Sequence, residues 1–425
     1  MKEEFLHFIW QHQLFENRPL VTSEGETVEI IQPGRHNLHA GPDFFDARLR
    51  IGDTLWAGNV EIHQRASDWN KHGHQNNAAY RNTILHVVAE NDERVRNDIG
   101  AIVPAAIVRW PEWIEKNYES LVRSRNWVNC ASQLYQIDPF RIRFFLNSIM
   151  IERLEMKIEA IEQRLAESKE EWNEIFYQFL SRSFGFRENN EPFERLARSL
   201  PQSILAKHHD SVFQIEALLY GQAGLLGNEL FADEYYLQLR DEYHFLAQKY
   251  NLKPVGGEQW KFMRMHPVNF PTVRLSQFAA LVYRSQGLFS AILDKKTIDE
   301  FRILFDIKAS EYWDTHYSFN KPSPRRPKAF GEEAFRLIMI NVVVPFLFLY
   351  GNYRNKNYLK DRALELLEKL PAENNRIIRR WKESGLTASN ALESQALLHL
   401  QHFYCEPVRC LECTIGHRLI LHRPT

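Results

Sequence analysis

The segment from Gly41 to His63 constrains the fold of this chain most, because it predicts two antiparallel strands joined by a tight turn. Polar and apolar residues alternate on both sides of the turn, with the period of two that is typical of half-buried strands. Gly52 can adopt the positive φ that the first position of a two-residue hairpin turn requires. The predicted inward-facing residues are Ala47, Leu49 and Ile51 on the first strand and Trp56, Val60 and Ile62 on the second. The segment therefore predicts a sheet in the first third of the chain.

The same hairpin carries acidic and basic side chains that can meet at one end of its strands. Asp43 precedes the first strand, and Glu61 and His63 share the polar face of the second. Two carboxylates can hold a hard cation such as Mg²⁺ or Mn²⁺, which polarises a phosphate and lowers the pKa of a bound water. We therefore predict Asp43 and Glu61 as catalytic metal ligands and His63 as the group that orients the attacking water. A third acidic ligand could come from Glu29 or from Glu4, and the sequence leaves this choice open.

This pattern resembles the PD-(D/E)XK nuclease superfamily, in which Pro-Asp, a hairpin and (Asp/Glu)-x-Lys follow one another. Pro42-Asp43 corresponds to the first half of that motif, and Glu61-Ile62-His63 corresponds to the second half with His in place of Lys. The resemblance implies a restriction-endonuclease-like core and a divalent-metal-dependent nuclease that hydrolyses DNA or, as an alternative, RNA. The whole chain also resembles an uncharacterised bacterial family that is known only as a domain of unknown function.

The exchange of Lys for His leaves two other classes of function open, because His lacks the permanent charge of Lys. One is a catalytically inactive nucleic-acid-binding or interaction protein on the same fold. The other is a zinc-dependent hydrolase built on the dense histidines of this region, since neutral imidazole is a common zinc ligand. His39, His72 and His74 are the further candidates for such a pocket, whereas His86 lies in an apolar strand and is predicted to be a core residue.

The order of the elements predicts an α+β chain, with a restriction-endonuclease-like α/β core followed by a large all-helical region. The predicted elements of the first region are a helix over residues 2–15, a strand over 27–32, the hairpin, a short helix from about residue 76, and strands over 83–90 and 101–109. From about residue 139 the sequence carries almost no strand pattern. We therefore predict a nuclease-like domain over residues 1–128 and an all-α domain over residues 129–425.

The carboxyl end holds three of the four cysteines of the chain, Cys405, Cys410 and Cys413. The CxxC spacing of the last two is typical of a metal knuckle, in which thiolates converge on one ion. Cys130 or His417 could supply a fourth ligand. The pattern predicts a zinc ion or an iron–sulfur cluster here, and the alternatives are buried thiols that pack as small apolar groups or a redox pair.

Composition limits the partners and the compartment that we expect. The net charge is −1, so a nucleic-acid-binding protein of this composition must concentrate its Lys and Arg on one face. The basic segment Lys321–Lys328 could contribute to that face, and Trp381 could stack on bases. The longest apolar run, residues 337–350, contains Pro345 and is too short to span a bilayer, which predicts a buried and kinked helix. The first residues lack the layout of a signal peptide, and few cysteines suit a reducing compartment. We expect a cytoplasmic protein that binds nucleic acid, with DNA preferred, and no membrane.

Overall fold

The computed structural model describes residues 3–169, 171–227, 232–285 and 287–423. The chain divides into two compact units, of which unit 1 comprises Met1–Phe145, Glu383–Leu386 and Leu400–Thr425, and unit 2 comprises Leu146–Lys382 and Thr387–His399. Unit 1 contains a sheet and unit 2 is mainly helical, so the predicted mixed class with an amino-terminal sheet and a large helical region is confirmed. The prediction divides the chain once, after residue 128, into two contiguous domains. In the structure, unit 1 also includes the carboxyl-terminal segment.

The elements below are numbered along the chain. The strands are β1 (Leu20–Val21), β2 (Thr27–Gln32), β3 (Arg35–His36), β4 (Phe44–Ile51), β5 (Thr54–Arg65), β6 (Thr83–Glu90), β7 (Ala105–Ile107), β8 (His316–Ser318) and β9 (Lys321–Pro322). The helices are α1 (Glu3–Gln11), α2 (Asp68–Lys71), α3 (Glu112–Val122), α4 (Pro139–Glu167), α5 (Trp172–Phe184), α6 (Asn190–Ser199), α7 (Gln202–Leu205), α8 (Val212–Gln222), α9 (Glu234–Tyr250), α10 (Pro271–Arg284), α11 (Leu288–Asp294), α12 (Ile298–Leu304), α13 (Glu332–Ile338), α14 (Val344–Tyr353), α15 (Asn357–Lys369), α16 (Arg376–Glu383), α17 (Ala391–Leu400) and α18 (Thr414–Ile420).

The sheet of unit 1 has the strand order β1-β2-β4-β5-β6-β7, with β3 paired to β4. β4 and β5 form an antiparallel hairpin, while β5, β6 and β7 run parallel. Two parallel neighbours need a long crossover, and residues 66–82 make this connection between β5 and β6. An isolated antiparallel bridge between Thr22 and Ala106 also joins the two ends of the strand order.

The predicted hairpin is confirmed in its strands and its turn. Along β4 the side chains of Ala47, Leu49 and Ile51 are buried, and the polar residues between them are exposed. Gly52 has a φ of 56°, as the turn requires. The predicted burial of Trp56 is wrong, because its side chain is 46% exposed. The pairing of β5 with β6 begins only at residue 59, so β6 does not extend beside the outer part of the hairpin.

The second strand of the hairpin is also more deeply buried than its alternating pattern predicts. All four residues from Val60 to His63 are buried, since α1 packs against β5 and the β5–β6 crossover lies beside the strand. This covering explains why polar Glu61 and His63, which the sequence places on an outward face, lie inside unit 1. The burial gives these two side chains the electrostatic environment of a functional site.

The other predictions for unit 1 hold to different degrees. The strands over residues 27–32 and 83–90 have the predicted bounds, and the strand over 101–109 is shortened to β7. The first helix ends at Gln11 rather than at residue 15, and its predicted start at Lys2 lies outside the described residues. The short helix expected from Asn76 is replaced by α2 and by two turns of 3₁₀ helix, so local polarity misplaced the helix.

Unit 2 contains a small strand pair besides its helices. β8 pairs with β9, which begins at Lys321, so the prediction of an all-helical region is wrong at this point. Lys328 is buried and donates hydrogen bonds from Nζ to the carbonyl oxygens of Asp314 and Arg326, and Trp381 is also buried. Neither side chain is available to a nucleic acid in this structure. Arg325 and Arg326 of the same segment are exposed, so Lys328 and Trp381 alone are removed from the predicted basic surface.

The apolar run near residue 340 forms a helix of unit 2. A π-helical turn, Met339–Val343, separates α13 from α14, and Pro345 lies in the first turn of α14, where a missing N–H is tolerated. Among the described residues, the single helix Glu332–Tyr353 is long and apolar enough to cross a membrane, and 78% of its most apolar window is buried inside the protein. This burial agrees with the predicted core helix.

Candidate metal centre

Two carboxylates meet where β4 and β5 lie side by side. The backbone N–H of Asp43 donates to Glu61 Oε2 at 3.1 Å, and the N–H of Ile62 donates to Asp43 Oδ2 at 2.8 Å. The strand register pairs Phe44 with Val60, so Asp43 lies opposite the residue that follows Val60. The hairpin itself therefore fixes the two acids against each other, and each carboxylate is held by the backbone of the neighbouring strand.

Three imidazoles lie beside this pair of acids. The ligand atoms of His63, His72 and His74 all lie within 4.8 Å of one another, which is close enough for one metal ion. Glu61 Oε1 lies 3.1 Å from His74 Nε2 and 3.6 Å from His63 Nε2. His63 and His74 are buried whereas His72 is exposed, so the cluster has one side open to solvent. The three nitrogens and the Glu61 carboxylate form a mixed donor set.

The β5–β6 crossover places the two loop histidines at the sheet. α2 ends at Lys71, with His72 as the residue that follows it, and Gly73 has a φ of 78°, which lets the chain reverse before His74. The loop is anchored by buried Trp69, whose indole N–H donates to the Arg96 carbonyl oxygen at 2.9 Å. The His74 ring stacks on Tyr80 with 3.8 Å between centroids. These contacts hold the crossover so that its histidines face the carboxylates.

His86 belongs to the same cluster from the core side. Its Nε2 lies 2.8 Å from His63 Nδ1, and its side chain is fully buried on β6. The second ring nitrogen of His63 faces His72 Nδ1 at 3.1 Å. His86 is thus the core residue that the sequence predicts, and it also holds the His63 ring in place. A partner on one ring nitrogen leaves the other directed toward the cluster.

The first helix contributes two residues that the sequence analysis missed. His7 Nε2 lies 3.4 Å from Asp43 Oδ2, and Glu3 Oε1 lies 3.9 Å from His63 Nε2. Residues four apart share one face of a helix, and here that face turns toward β5. The sequence considered Glu4, which is exposed. The spacing of Glu3 and His7 on the apolar face of α1 is the pattern that could have identified them.

Burial and charge repulsion shape the titration of the site. Burial, and then the charge of Asp43, raise the pKa of Glu61 to about 9. Burial and the neighbouring histidines lower the pKa of His63 to about 2, and burial lowers the pKa of His86 to about 3. Burial acts against protonation of His7 too, but the Asp43 carboxylate outweighs it and raises the His7 pKa. The imidazole of His63 is therefore neutral at neutral pH, with a lone pair available to a cation.

Asp43 and Glu61 have few positively charged neighbours. Within the described residues, Asp43 and Glu61 have only histidines as ion-pair partners, and no Lys or Arg. Neighbouring carboxylates repel each other when both are ionised, and Asp43 raises the pKa of Glu61 in this way. A cation or a proton at the site would relieve this repulsion.

Two residues predicted for the site lie elsewhere. Glu29 is an exposed residue of β2 that faces Arg50, with 3.6 Å between its Oε2 and Arg50 Nε. Because Arg50 is six residues along β4 from Phe44, Glu29 lies roughly 20 Å from the Asp43 end of the strand. His39 is exposed in the loop before β4, where Asn37 bonds to its backbone. The prediction of Glu29 as a metal ligand is therefore wrong, and His39 does not join the cluster.

The comparisons with known proteins identify the family of the chain. The model of a family described as "Protein of unknown function (DUF2851)" matches residues 3–376. The chain belongs to this family. No curated protein and no solved structure matches it.

The DUF2851 match contains all the residues of the candidate metal centre. It includes α1, the hairpin and the β5–β6 crossover, and it ends before the three carboxyl-terminal cysteines. The predicted resemblance to an uncharacterised family is thereby confirmed. The description of this family names no activity.

Proposed function

We propose that this protein is a divalent-metal-dependent hydrolase of phosphodiesters, with DNA as its first expected substrate and RNA as the alternative. One observation carries the proposal: three imidazoles within metal-binding distance of one another lie beside two carboxylates that accept backbone hydrogen bonds across one strand pair. A metal-dependent hydrolase needs such ligands and one open side for water and substrate. Exposed His72 marks that open side.

The donor set favours particular ions. His63, His72 and His74 would hold the ion together with Glu61, and Asp43 would supply the second negative charge. Imidazole nitrogens with carboxylate oxygens suit Zn²⁺ or Mn²⁺ better than Mg²⁺, which prefers oxygen ligands alone. The proposal therefore shifts the expected ion from Mg²⁺ toward Mn²⁺ or Zn²⁺. The bound ion would lower the pKa of a water molecule and polarise the phosphoryl oxygen.

The residues of the chain supply proton transfer and positioning. His7, whose pKa is raised by Asp43, lies 3.4 Å from that carboxylate and can exchange a proton with a group bound beside it. His63 is held between His86 and His72, so its ring orientation is fixed before substrate arrives. Glu3 adds a further negative charge at 3.9 Å from His63. These groups surround the ion with both acceptors and a proton donor.

The choice of phosphodiesters as substrate depends on the resemblance to the PD-(D/E)XK superfamily. Pro42-Asp43 and Glu61-Ile62-His63 occupy the two sides of a hairpin, and their carboxylates lie together. A helix before the hairpin and a parallel strand after it give the element order that the resemblance implies. α2, however, has only one turn. This element order supports a nuclease-like core as a proposal.

The test is a cleavage assay on the full chain after removal of metals with a chelator. Single-stranded DNA, double-stranded DNA and RNA are incubated with Mg²⁺, Mn²⁺ or Zn²⁺, and the products are separated by size. We expect products with Mn²⁺ or Zn²⁺, and no products from Glu61→Gln. The matched control Glu29→Gln changes an exposed Glu of the same sheet and is expected to keep full activity. Full activity of a folded Glu61→Gln variant would contradict the proposal.

A zinc-dependent hydrolase of small phosphoesters or amides is the second candidate, and the three-histidine cluster favours it. It predicts that zinc stays bound during purification and that small esters are cleaved while nucleic acids are not. A third outcome would be nucleic-acid binding without cleavage that persists in Asp43→Ala. That outcome would identify a non-catalytic binding protein on the same fold.

A further inference from the structure

All four cysteines of the chain belong to unit 1, although Cys130 lies 275 positions before Cys405. They are free thiols, and Cys413 is buried while the other three are partly buried. The carboxyl-terminal segment that carries three of them is included in unit 1 together with the sheet. The question is whether the fold brings the fourth, Cys130, to the other three.

Helix packing answers this question for Cys130 and Cys413. Cys130 immediately precedes a 3₁₀ helix, Ala131–Gln136, and Cys413 immediately precedes α18. α18 packs against that 3₁₀ helix and against α3. Two cysteines that each begin one of two packed helices lie at the same interface.

Cys410 is held against the first turns of α18. A Cβ placed on Gly416 would lie 2.1 Å from the Cys410 carbonyl oxygen, so the backbone of Cys410 packs directly on the glycine. Only a residue without a side chain permits this approach. Cys413 is the residue immediately before the first turn of α18, so Cys413 and the backbone of Cys410 lie at the same end of this helix.

The loop between Cys405 and Cys410 is strained and closely bonded. Val408 has a φ of 60°, an unusual conformation for a β-branched residue. Its N–H donates to the Cys405 carbonyl oxygen at 3.2 Å, and the Arg409 N–H donates to the Tyr404 carbonyl oxygen at 2.8 Å. Backbone strain of this kind is concentrated at ligand sites, where the surroundings maintain it.

The spacing of the sulfur atoms distinguishes a cluster from a single ion. In the part of the chain that the structure describes, no three cysteine sulfur atoms all lie within 4.8 Å of one another. Four thiolates on one Zn²⁺, at Zn–S distances of about 2.3 Å, require sulfur atoms roughly 3.8 Å apart. A polynuclear cluster accepts wider spacing because the thiolates bind different iron atoms.

We propose that Cys130, Cys405, Cys410 and Cys413 hold an iron–sulfur cluster that fastens the carboxyl-terminal segment to the region after α3. His417, the other ligand considered from the sequence, packs its ring instead against His12, which follows α1, and against Phe8 of α1, with centroids 4.3 and 4.9 Å away. The cluster thus takes all four cysteines of the chain as its ligands. This inference is independent of the proposed hydrolase function.

The test is a metal and sulfide analysis of the full chain, expressed with added iron and purified without oxygen. We expect a brown protein with iron and acid-labile sulfide in equal amounts. Zinc without sulfide would overturn the proposal and indicate a mononuclear site. A colourless chain that also fails to take up iron after incubation with ferrous ion and sulfide would overturn it as well.

Variants identify the ligands. Cys130→Ser and Cys410→Ser are expected to reduce the iron content to background, whereas the control His417→Ala is expected to keep it. The opposite result for Cys130 and His417 would refute the ligand assignment. If the serine variants do not fold, reconstitution of the wild-type chain still decides the proposal. Glu61→Gln should lose hydrolase activity and keep its iron, so failure of one proposal is distinguishable from failure of the other.

Discussion

Replacing Glu61 by Gln should weaken divalent-metal binding at the histidine cluster without unfolding the protein. Glu61 Oε1 lies 3.1 Å from His74 Nε2 and 3.6 Å from His63 Nε2, so an ion on these nitrogens would lie within about 4 Å of the carboxylate. At that distance and an effective dielectric constant of about 20, the attraction between a divalent ion and the carboxylate charge is about 8 kcal/mol. Gln has nearly the same shape, and its side-chain oxygen can still accept the Asp43 N–H.

Part of this energy is offset at neutral pH. Burial and the charge of Asp43 raise the pKa of Glu61, so the carboxyl group must lose a proton before it can bind the ion. We therefore expect a net loss of at least about 1.4–2.8 kcal/mol, which is at least a roughly 10- to 100-fold higher Kd. Because the proton cost falls as the pH rises toward the Glu61 pKa, the difference between wild type and variant should increase in that direction.

Titration calorimetry with Mn²⁺ and Zn²⁺ on chelator-treated protein measures this effect. Glu29→Gln is the matched control, since Glu29 is exposed, faces Arg50 and should leave the Kd unchanged. Circular dichroism of each variant establishes that it is folded. An unchanged Kd for folded Glu61→Gln, or an equal loss in Glu29→Gln, would refute the assignment of Glu61 to the metal centre.

Two further predictions concern stability. Gly58→Ala should destabilise unit 1 by about 1–3 kcal/mol through overpacking, because a Cβ there would lie 2.5 Å from Ile84 Cγ2. Denaturant unfolding measures this loss of stability. The control Gly331→Ala should change the stability little, because a Cβ at Gly331 meets nothing within 4 Å. Burial lowers the pKa of Lys157 in unit 2 to about 7, against roughly 10.4 in an unfolded chain, so the unfolded chain binds more protons between these values. The unfolding free energy should therefore rise with pH across this window, and this gain should disappear as the pH falls toward 7. Urea unfolding at pH 7 and 9 should show that Lys157→Met removes this rise. An unchanged pH dependence in the variant would contradict the lowered pKa of Lys157.

The local pattern of apolar and polar residues was enough to predict the strands that have a regular period and clear ends. β2, β4 and β6 follow the alternation or the continuous apolar run that predicts them, and the turn at Gly52 follows from its backbone freedom. The sequence predicted that Asp43 and Glu61 lie near the same strand end, but their exact pairing depends on a β-bulge. The register set by the turn would place Asp43 opposite Ile62, and the register shift between Phe44 and Ala47 places it opposite Glu61 instead. The predicted helix at residue 76 failed, because the crossover folds around buried Trp69 rather than according to its own polarity.

The histidine cluster needed contacts between segments that are distant along the chain. His63 meets His72 and His74 only because β5 and β6 are parallel, which turns their connection back over the strand. Glu3 and His7 join because α1 packs on β5, and no short-range pattern sets that pairing. Glu29 was excluded for the same kind of reason, since register places it at the far end of β4.

The sequence by itself determined which chemical groups are present and which strand segments carry them. It determined the acid pair on one hairpin, the dense histidines and the cysteines near the carboxyl end, because these depend on residue type and short spacing. Tertiary structure alone decided which of them converge. Packing of α1 on the sheet buries Glu61 and His63, and packing of α18 near Cys130 brings the cysteines to one interface. Long-range packing decides such encounters, since it depends on the summed burial of whole faces rather than on any local pattern.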